Sequence, residues 1–201
     1  LLSFATVTFL SAIYEHSRQT SFIVIRDISE KFERQALFDA LTNLPNRRGI
    51  QKFIVHEINR ARRQQEDLTL ILCDIDRFKQ VNDNYGHDGG DIALKHVADL
   101  FKETIREQDG VARWGGEEFL FVLPTTNENN GVVLAEKIRE TLQSTPVPIK
   151  NTSLTITASF GVAQIHLENG LNNALSLADK ALYRAKENGR NKVLSASSLA
   201  P

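Results

Sequence analysis

The sequence is short of several things, and each shortage excludes something. It has one cysteine, Cys73, so no disulfide framework can hold it and a reducing compartment is expected. It has no methionine and begins at Leu1, which reads as a piece cut from a longer protein. Charge of one sign is also missing: 24 Lys and Arg stand against 25 Asp and Glu, a net of −1. There is thus no basic field of the kind that gathers nucleic acid or an anionic membrane surface. Long apolar runs are absent too. The opening LLSFATVTFLSAIY is 14 residues long, short of the roughly 20 that span a bilayer, and it lacks the basic start of a signal peptide. A truncated membrane helix is the minority reading of that stretch, so any membrane attachment would come through parts outside this sequence. With 41% hydrophobic and 24% charged residues, the chain reads as a soluble, cytoplasmic globular domain with a small appendage.

Periodicity then divides the chain. Residues 6–14 and 21–28 are rich in β-branched and aromatic types around the polar link EHSRQT, which predicts a β-hairpin. A connecting helix follows over 29–42, with Phe32, Leu37 and Leu41 on one stripe. NLPNRR breaks it, and Asn46 is placed to cap a second helix running to about Gln64. The near-continuous apolar run 68–75 predicts a central strand covered on both faces. Helices are expected over 91–106, 130–143 and 171–187, and strands over 153–165 and near the end. Residues 111–123 read as a hairpin with a two-residue Gly-Gly loop. The expected fold is α/β (α+β): a central mixed β-sheet flanked by helices, preceded by the hairpin and linker helix.

Two stretches carry chemistry. In LILCDIDRFKQVND a buried strand ends in Asp74 and Asp76, on one face if the strand persists that far. Acids at such a strand end sit where α/β sheets bind ligands. In VARWGGEEFLFVLP, glutamates 117 and 118 follow a glycine pair inside an apolar hairpin. If the two stretches pair, their carboxylates share a rim, repel one another and call for a cation. Hard oxygen ligands suit Mg²⁺, with substrate phosphates completing its shell. A plainer reading of each stretch alone is a helix cap and an exposed turn.

RWGGEEF resembles the signature of the GGDEF family of diguanylate cyclases, in its GGEEF form. DALTNLPNRR (39–48) is similar to the family's opening motif, with Asn43 where glycine is common. DIDRFKQVNDNYGHDGGD (74–91), ASFGVA (158–163) and ADKALYRAKENGRNKV (178–193) resemble its later blocks, in order. The resemblance implies a fold akin to nucleotidyl cyclases and polymerase palms, over about 38–198. It implies condensation of two GTP into cyclic di-GMP with release of pyrophosphate. It makes Asp74, Glu117 and the Ile75 carbonyl the ligands of Mg²⁺, with Mn²⁺ as an alternative. Glu118 would join the catalytic group, with its role left open. Asn82 and Asp91 would read guanine, while Lys79, Lys186, Arg190 and the Phe78 amide hold phosphate. Two domains, each with one GTP, must meet, so a homodimer is implied.

REQD (106–109) resembles the family's inhibitory product site, with Arg106 and Asp109 binding cyclic di-GMP and Arg60 joining them. Residues 1–28 resemble the last strands of a PAS sensor, and 29–42 a signalling helix. The alternatives are a catalytically inactive GTP or cyclic di-GMP receptor and a polymerase-like module. The lack of a basic groove counts against the latter and against a nucleic-acid partner.

Overall fold

Residues 4–37 contain no glycine, proline or asparagine, the residues from which tight hairpin turns are built. In the computed structural model, which describes residues 4–149 and 152–199, this segment is one helix, α1 (Phe4–Leu37). The predicted hairpin over 6–14 and 21–28 is therefore corrected. β-Branched residues lower helix stability by only a few tenths of a kcal/mol each, and the polar link supplies helical contacts instead. Thr20 Oγ1 donates to the His16 carbonyl and Ser21 Oγ to the Ser17 carbonyl, both at 2.9 Å. Arg18 pairs with Glu15 at 2.7 Å. The strands of the PAS-like reading are not formed over residues 4–28; residues 1–3 lie outside the described residues. No described helix is long and apolar enough to cross a membrane. The chain divides into two compact units between Leu37 and Phe38.

The second unit opens with α2 (Arg47–Gln64), whose first N–H groups are met by Asn46 Oδ1, as expected. Then come β1 (Leu68–Ile75), α3 (Phe78–Thr104), β2 (Gly110–Arg113), β3 (Glu118–Pro124) and α4 (Glu128–Ser144). A short hairpin, β4 (Val147–Ile149) and β5 (Thr152–Leu154), precedes β6 (Ala158–Gln164), α5 (Gly170–Glu187) and β7 (Val193–Ser195). The main sheet has the order β2-β3-β1-β6-β7, with only β6 and β7 parallel. The strand predicted over 153–165 is thus divided between two sheets. The helix predicted over 91–106 starts earlier, at Phe78, and is broken at Gly86 (φ 73°, ψ 172°).

β1 is buried along its whole length, and its alternation feeds two cores. Ile71, Cys73 and Ile75 pack with Phe119, Phe121 and Phe160 under α3 and α4. Phe101 stands edge-on to Phe119 and Phe121, each at 5.1 Å between ring centres. Leu70 and Leu72 face the other way, under α2 and α5. There β6 carries Gly161, and any side chain at that position would run into the Ala178 carbonyl and the Leu182 amide. That close approach seats α5 directly on the sheet and brings its last turn to the end of β1.

Candidate active site

The register of the sheet builds the site. Asp74 lies opposite Glu118 on β3 and Ser159 on β6. Alternation turns it toward α5, where Lys186 Nζ stands 2.8 Å from Asp74 Oδ2. The turn between β2 and β3 is wider than the predicted Gly-Gly loop. The amides of Trp114 and Gly115 both donate to the Glu118 carbonyl, at 2.8 and 3.2 Å, so Glu117 belongs to the turn. A two-residue turn of the usual hairpin type needs positive φ at its glycines; neither Gly115 nor Gly116 has it. The Ile75 amide donates to the Glu117 carbonyl at 3.2 Å and pins the turn to the end of β1.

This brings Glu117 and Asp74 within each other's field. Burial raises the Asp74 carboxyl, Lys186 lowers it through its hydrogen bond and charge, Asp76 raises it and Arg190 lowers it; the balance lies above the ordinary value of 3.8. Burial also raises Glu117, the Asp74 charge adds to that, and Lys186 opposes it; the balance lies above 4.5. Two hard, mutually repelling carboxylates at a strand end fit a divalent cation. Among the described residues no group of three or more His, Cys, Asp or Glu is gathered as a metal site, so the protein offers this pair plus backbone oxygens.

The other candidates divide. β1 ends at Ile75, and the Asp76 carboxylate just beyond it is taken up by hydrogen bonds. It accepts hydrogen bonds from Thr157 Oγ1, Ser159 Oγ and the Asn191 amide at 2.7–2.9 Å. Glu118 is half-exposed, with Oε2 lying against Gly115. It lines a cavity of about 880 Å³ together with Lys186, Tyr183 and Leu199. Phe78 is buried and Lys79 exposed in the first turn of α3. That helix starts from Arg77 at φ 56°, with no side chain bonding its first amides, an arrangement suited to phosphate. The break at Gly86 folds α3 so that Asn82 Oδ1 rests on Gly90, where no side chain would fit. Asp91 follows at once, exposed and inside the helix rather than capping it. Arg190 lies just beyond α5, exposed and at φ 64°.

Arg106 and Asp109 form a turn between α3 and β2: the Arg106 amide donates to Asp109 Oδ2 at 3.1 Å, and the Asp109 amide to the Arg106 carbonyl at 3.0 Å. Burial holds the Asp109 carboxyl above its ordinary value against the pull of Arg106. Both residues line a polar cavity of about 360 Å³ with Thr126, Asn130 and Lys137. Arg60 lines neither this cavity nor the apolar one on the other side of the turn. It pairs instead with Glu57 and Glu66 at 3.2 and 3.5 Å. Lys137, on α4, is the cation brought to Arg106, and no local signal in α4 marks it.

A second arrangement also escaped the sequence. Asp39 accepts from the Thr42 amide and hydroxyl, and from Arg113 at 3.1 and 3.2 Å. Arg113 in turn donates from Nε and NH2 to the Gly116 carbonyl at 3.0 and 2.7 Å. Burial raises the Asp39 carboxyl, but the Thr42 and Arg113 contacts outweigh it and hold the group below its ordinary value. The opening motif is thereby tied to the Gly-Gly-Glu-Glu turn. The two partners stand 74 residues apart, and opposite charge alone does not single them out.

A mixed sheet whose central strand delivers a buried aspartate to an acidic turn defines a palm-like nucleotidyl cyclase domain. The chain belongs to the GGDEF family: the model described as "Diguanylate cyclase, GGDEF domain" matches residues 36–192. It is 38% identical over 164 residues to diguanylate cyclase DgcP of Pseudomonas aeruginosa, covering 82% of this chain and 24% of that protein. It is 35% identical over 172 residues to DosC of Escherichia coli, covering 85% and 37%. The chain thus spans about a quarter to two fifths of these relatives. Among solved structures, the coiled coil and GGDEF domain of DgcB from Caulobacter crescentus, in complex with c-di-GMP, matches with a TM-score of 0.85 and 29% identity, over 92% of this chain and 98% of that one. The active GGEEF domain of a diguanylate cyclase from Vibrio cholerae matches at 0.69 and 36% identity, over 75% and 96%.

Proposed function

We propose that this domain condenses two molecules of GTP into cyclic di-GMP, releasing two pyrophosphates. The observation that carries the reading is that the turn bearing Glu117 is pinned to the end of β1 beside Asp74, each carboxyl raised from its ordinary value, with Lys186 2.8 Å from Asp74. Asp74, Glu117 and the Ile75 carbonyl would hold Mg²⁺, with Mn²⁺ as an alternative. The cation supplies charge that polarises the α-phosphate and favours the ionised 3′-hydroxyl of the opposing GTP. Lys186, Arg190, Lys79 and the amides at the start of α3 bind the triphosphate. Asn82 and Asp91, brought together by the break at Gly86, accept from and donate to the guanine edge. Glu118, which lines the cavity beside Lys186, would face the incoming hydroxyl.

Each domain holds one GTP, and the product contains two equivalent phosphodiesters. Two copies therefore meet face to face about a twofold axis, and each supplies the 3′-hydroxyl that attacks the other's α-phosphorus. Arg106, Asp109 and Lys137 form the product-binding inhibitory site; Arg60 stays in its pairing with Glu57 and Glu66. GTP as substrate and the single buried Cys73 thiol agree with a cytoplasmic setting. Incubation of the purified domain with GTP and Mg²⁺, followed by nucleotide chromatography, tests the reading. Cyclic di-GMP and pyrophosphate are expected in a ratio of about one to two, as the condensation requires. No product at high protein concentration overturns it.

A further inference from the structure

The turn that follows α5 holds three successive residues at positive φ: Gly189 at 103°, Arg190 at 64° and Asn191 at 46°. Glycine adopts that region freely, but arginine and asparagine do so against steric preference. Such backbone persists only where the surroundings over-determine it. Here the surroundings are specific. The Arg190 amide donates to the Ala185 carbonyl at 3.1 Å. The Asn191 side chain is clamped to α4, accepting from Arg139 at 3.2 Å and donating to Gln143 at 3.1 Å. The Asn191 amide donates to Asp76 Oδ2 at 2.9 Å.

Asp76 is the meeting point of this arrangement. Its Oδ2 also accepts from Thr157 Oγ1 at 2.8 Å, its Oδ1 accepts from Ser159 Oγ at 2.7 Å, and its amide donates to the Thr157 carbonyl at 2.8 Å. One buried carboxylate thus joins the end of β1, the start of β6 and the turn that carries Arg190. Both oxygens of Asp76 already accept hydrogen bonds that fix the carboxylate among Thr157, Ser159 and Asn191. The Arg190 charge lowers the Asp74 carboxyl, so the turn that carries Arg190 lies within electrostatic reach of Asp74.

We propose that Asp76 is a positioning residue: it holds the Arg190–Asn191 turn in its left-handed conformation, so that Arg190 points at the GTP triphosphate, and it is not a metal ligand. The role rests on the reading of Arg190 as a phosphate-binding residue. The bonding pattern separates it from a ligand role. An asparagine at this position keeps one acceptor for Thr157 and the Asn191 amide. Its NH₂ group then faces Ser159 Oγ, a hydroxyl able to accept. An alanine leaves the Asn191 amide and two hydroxyls without their acceptor. Both variants remove the negative charge, so a metal ligand would fail alike in both, whereas a positioning residue is largely preserved by asparagine.

The test measures KM and kcat for GTP, Mg²⁺ dependence, and equilibrium binding of the fluorescent analogue mant-GTP in Asp76→Asn, Asp76→Ala and Asp74→Asn. Asp76→Asn is expected to raise KM about twofold to threefold with the Mg²⁺ requirement unshifted, and Asp76→Ala to raise KM and weaken mant-GTP binding about tenfold or more with a smaller change in kcat. Adding Asn191→Gly to Asp76→Ala should recover part of the binding, because glycine needs no carboxylate to hold positive φ. Asp76→Asn behaving like Asp74→Asn, with turnover lost and the Mg²⁺ requirement raised, overturns the proposal. So does unaltered mant-GTP binding in Asp76→Ala. Should Asp76→Ala not fold, the Asp76→Asn comparison with Asp74→Asn decides alone. Arg190→Gln separates this inference from the reading beneath it: unchanged mant-GTP binding there removes the phosphate role of Arg190, whereas weakened binding there with intact binding in Asp76→Ala removes only the role of Asp76.

Discussion

Lys186 Nζ lies 2.8 Å from Asp74 Oδ2, so a residue assigned to the triphosphate and one assigned to the metal neutralise each other across the end of β1. Lys186 holds the Asp74 carboxyl down against the effect of burial. In Lys186→Met that restraint is gone and the carboxyl moves further above its ordinary value. The acid limb of the pH–rate profile should shift to higher pH, and KM for GTP should rise about tenfold through loss of a charge-assisted contact. An acid limb that stays in place would separate Lys186 from Asp74 in function.

Glu117 is the carboxylate whose removal should be most costly to turnover. Glu117→Gln keeps the size of the side chain and its place in the turn, which is fixed by the backbone bond from Ile75. Cyclic di-GMP formation is expected to fall about a hundredfold or more, the scale of a lost metal-borne stabilisation of the transition state, while the melting temperature stays within a few degrees. Near-normal turnover in this variant would remove Glu117 from the metal site.

Stability should depend on pH with a definite sign. Asp74 and Glu117 are both raised in the folded protein, so between the ordinary carboxylate values and the raised ones the folded state binds more protons than the unfolded state. In metal-free buffer, stability from these groups is present at low pH and falls as pH rises through that window. On the proposed assignment Mg²⁺ would bind the ionised pair, so its stabilising effect should grow over the same window. Thermal melts with and without Mg²⁺ from about pH 4, near the ordinary carboxylate values, up to about pH 8 read both slopes. The metal-free slope should flatten in Glu117→Gln.

Arg113 should act on the catalytic turn without touching substrate. Its fork holds Asp39 on one side and the Gly116 carbonyl on the other. Lysine cannot reproduce that planar, multi-donor geometry. Arg113→Lys should lower kcat about tenfold, the cost of a slightly misplaced Glu117. Asp39→Asn should reproduce part of that loss. It should also abolish a contribution to stability that is present at neutral pH and lost as pH falls through the depressed Asp39 value. Equal kcat in Arg113→Lys and the parent would sever the link.

At the second site, Arg106→Ala and Lys137→Ala should each weaken inhibition by added cyclic di-GMP, by roughly tenfold for a lost charged contact. Arg60→Ala should not, because Arg60 is engaged elsewhere on α2. Inhibition constants measured for the three variants decide between Lys137 and Arg60.

What was legible in the sequence, and what was not, follows from the range of the interactions concerned. The buried run 68–75 is the central strand, and the Asn46 cap starts α2 where expected; both are set by local pattern. The front end was misread because β-branched composition outweighed the missing turn residues between positions 14 and 21. The Gly-Gly loop was drawn too tight because the two Glu118 carbonyl contacts are set by pairing with β1, not by the glycines themselves. Asp76 reads as a second cluster carboxylate because nothing local shows that its oxygens are taken up by hydrogen bonds. Its hydroxyl and amide partners lie 81, 83 and 115 residues further along the chain. Lys137 and the Asp39–Arg113 pair were hidden for the same reason.

The placement of β1 between β3 and β6 also sets an order of assembly during synthesis. By the time residue 124 has been made, the chain already contains Asp74, Glu117 and the strand that pairs them. The other neighbour of β1, the helix bearing Lys186 and the turn bearing Arg190 all belong to the last quarter of the sequence. A nascent chain at that point therefore carries a half-sheet with two repelling carboxylates and an open apolar edge, and gains the cations proposed to bind phosphate only as residues 158–195 dock. Ribosome-bound chains halted before α5 should fail to retain GTP, because Lys186 and Arg190, the cations proposed to hold its phosphates, have not yet been made.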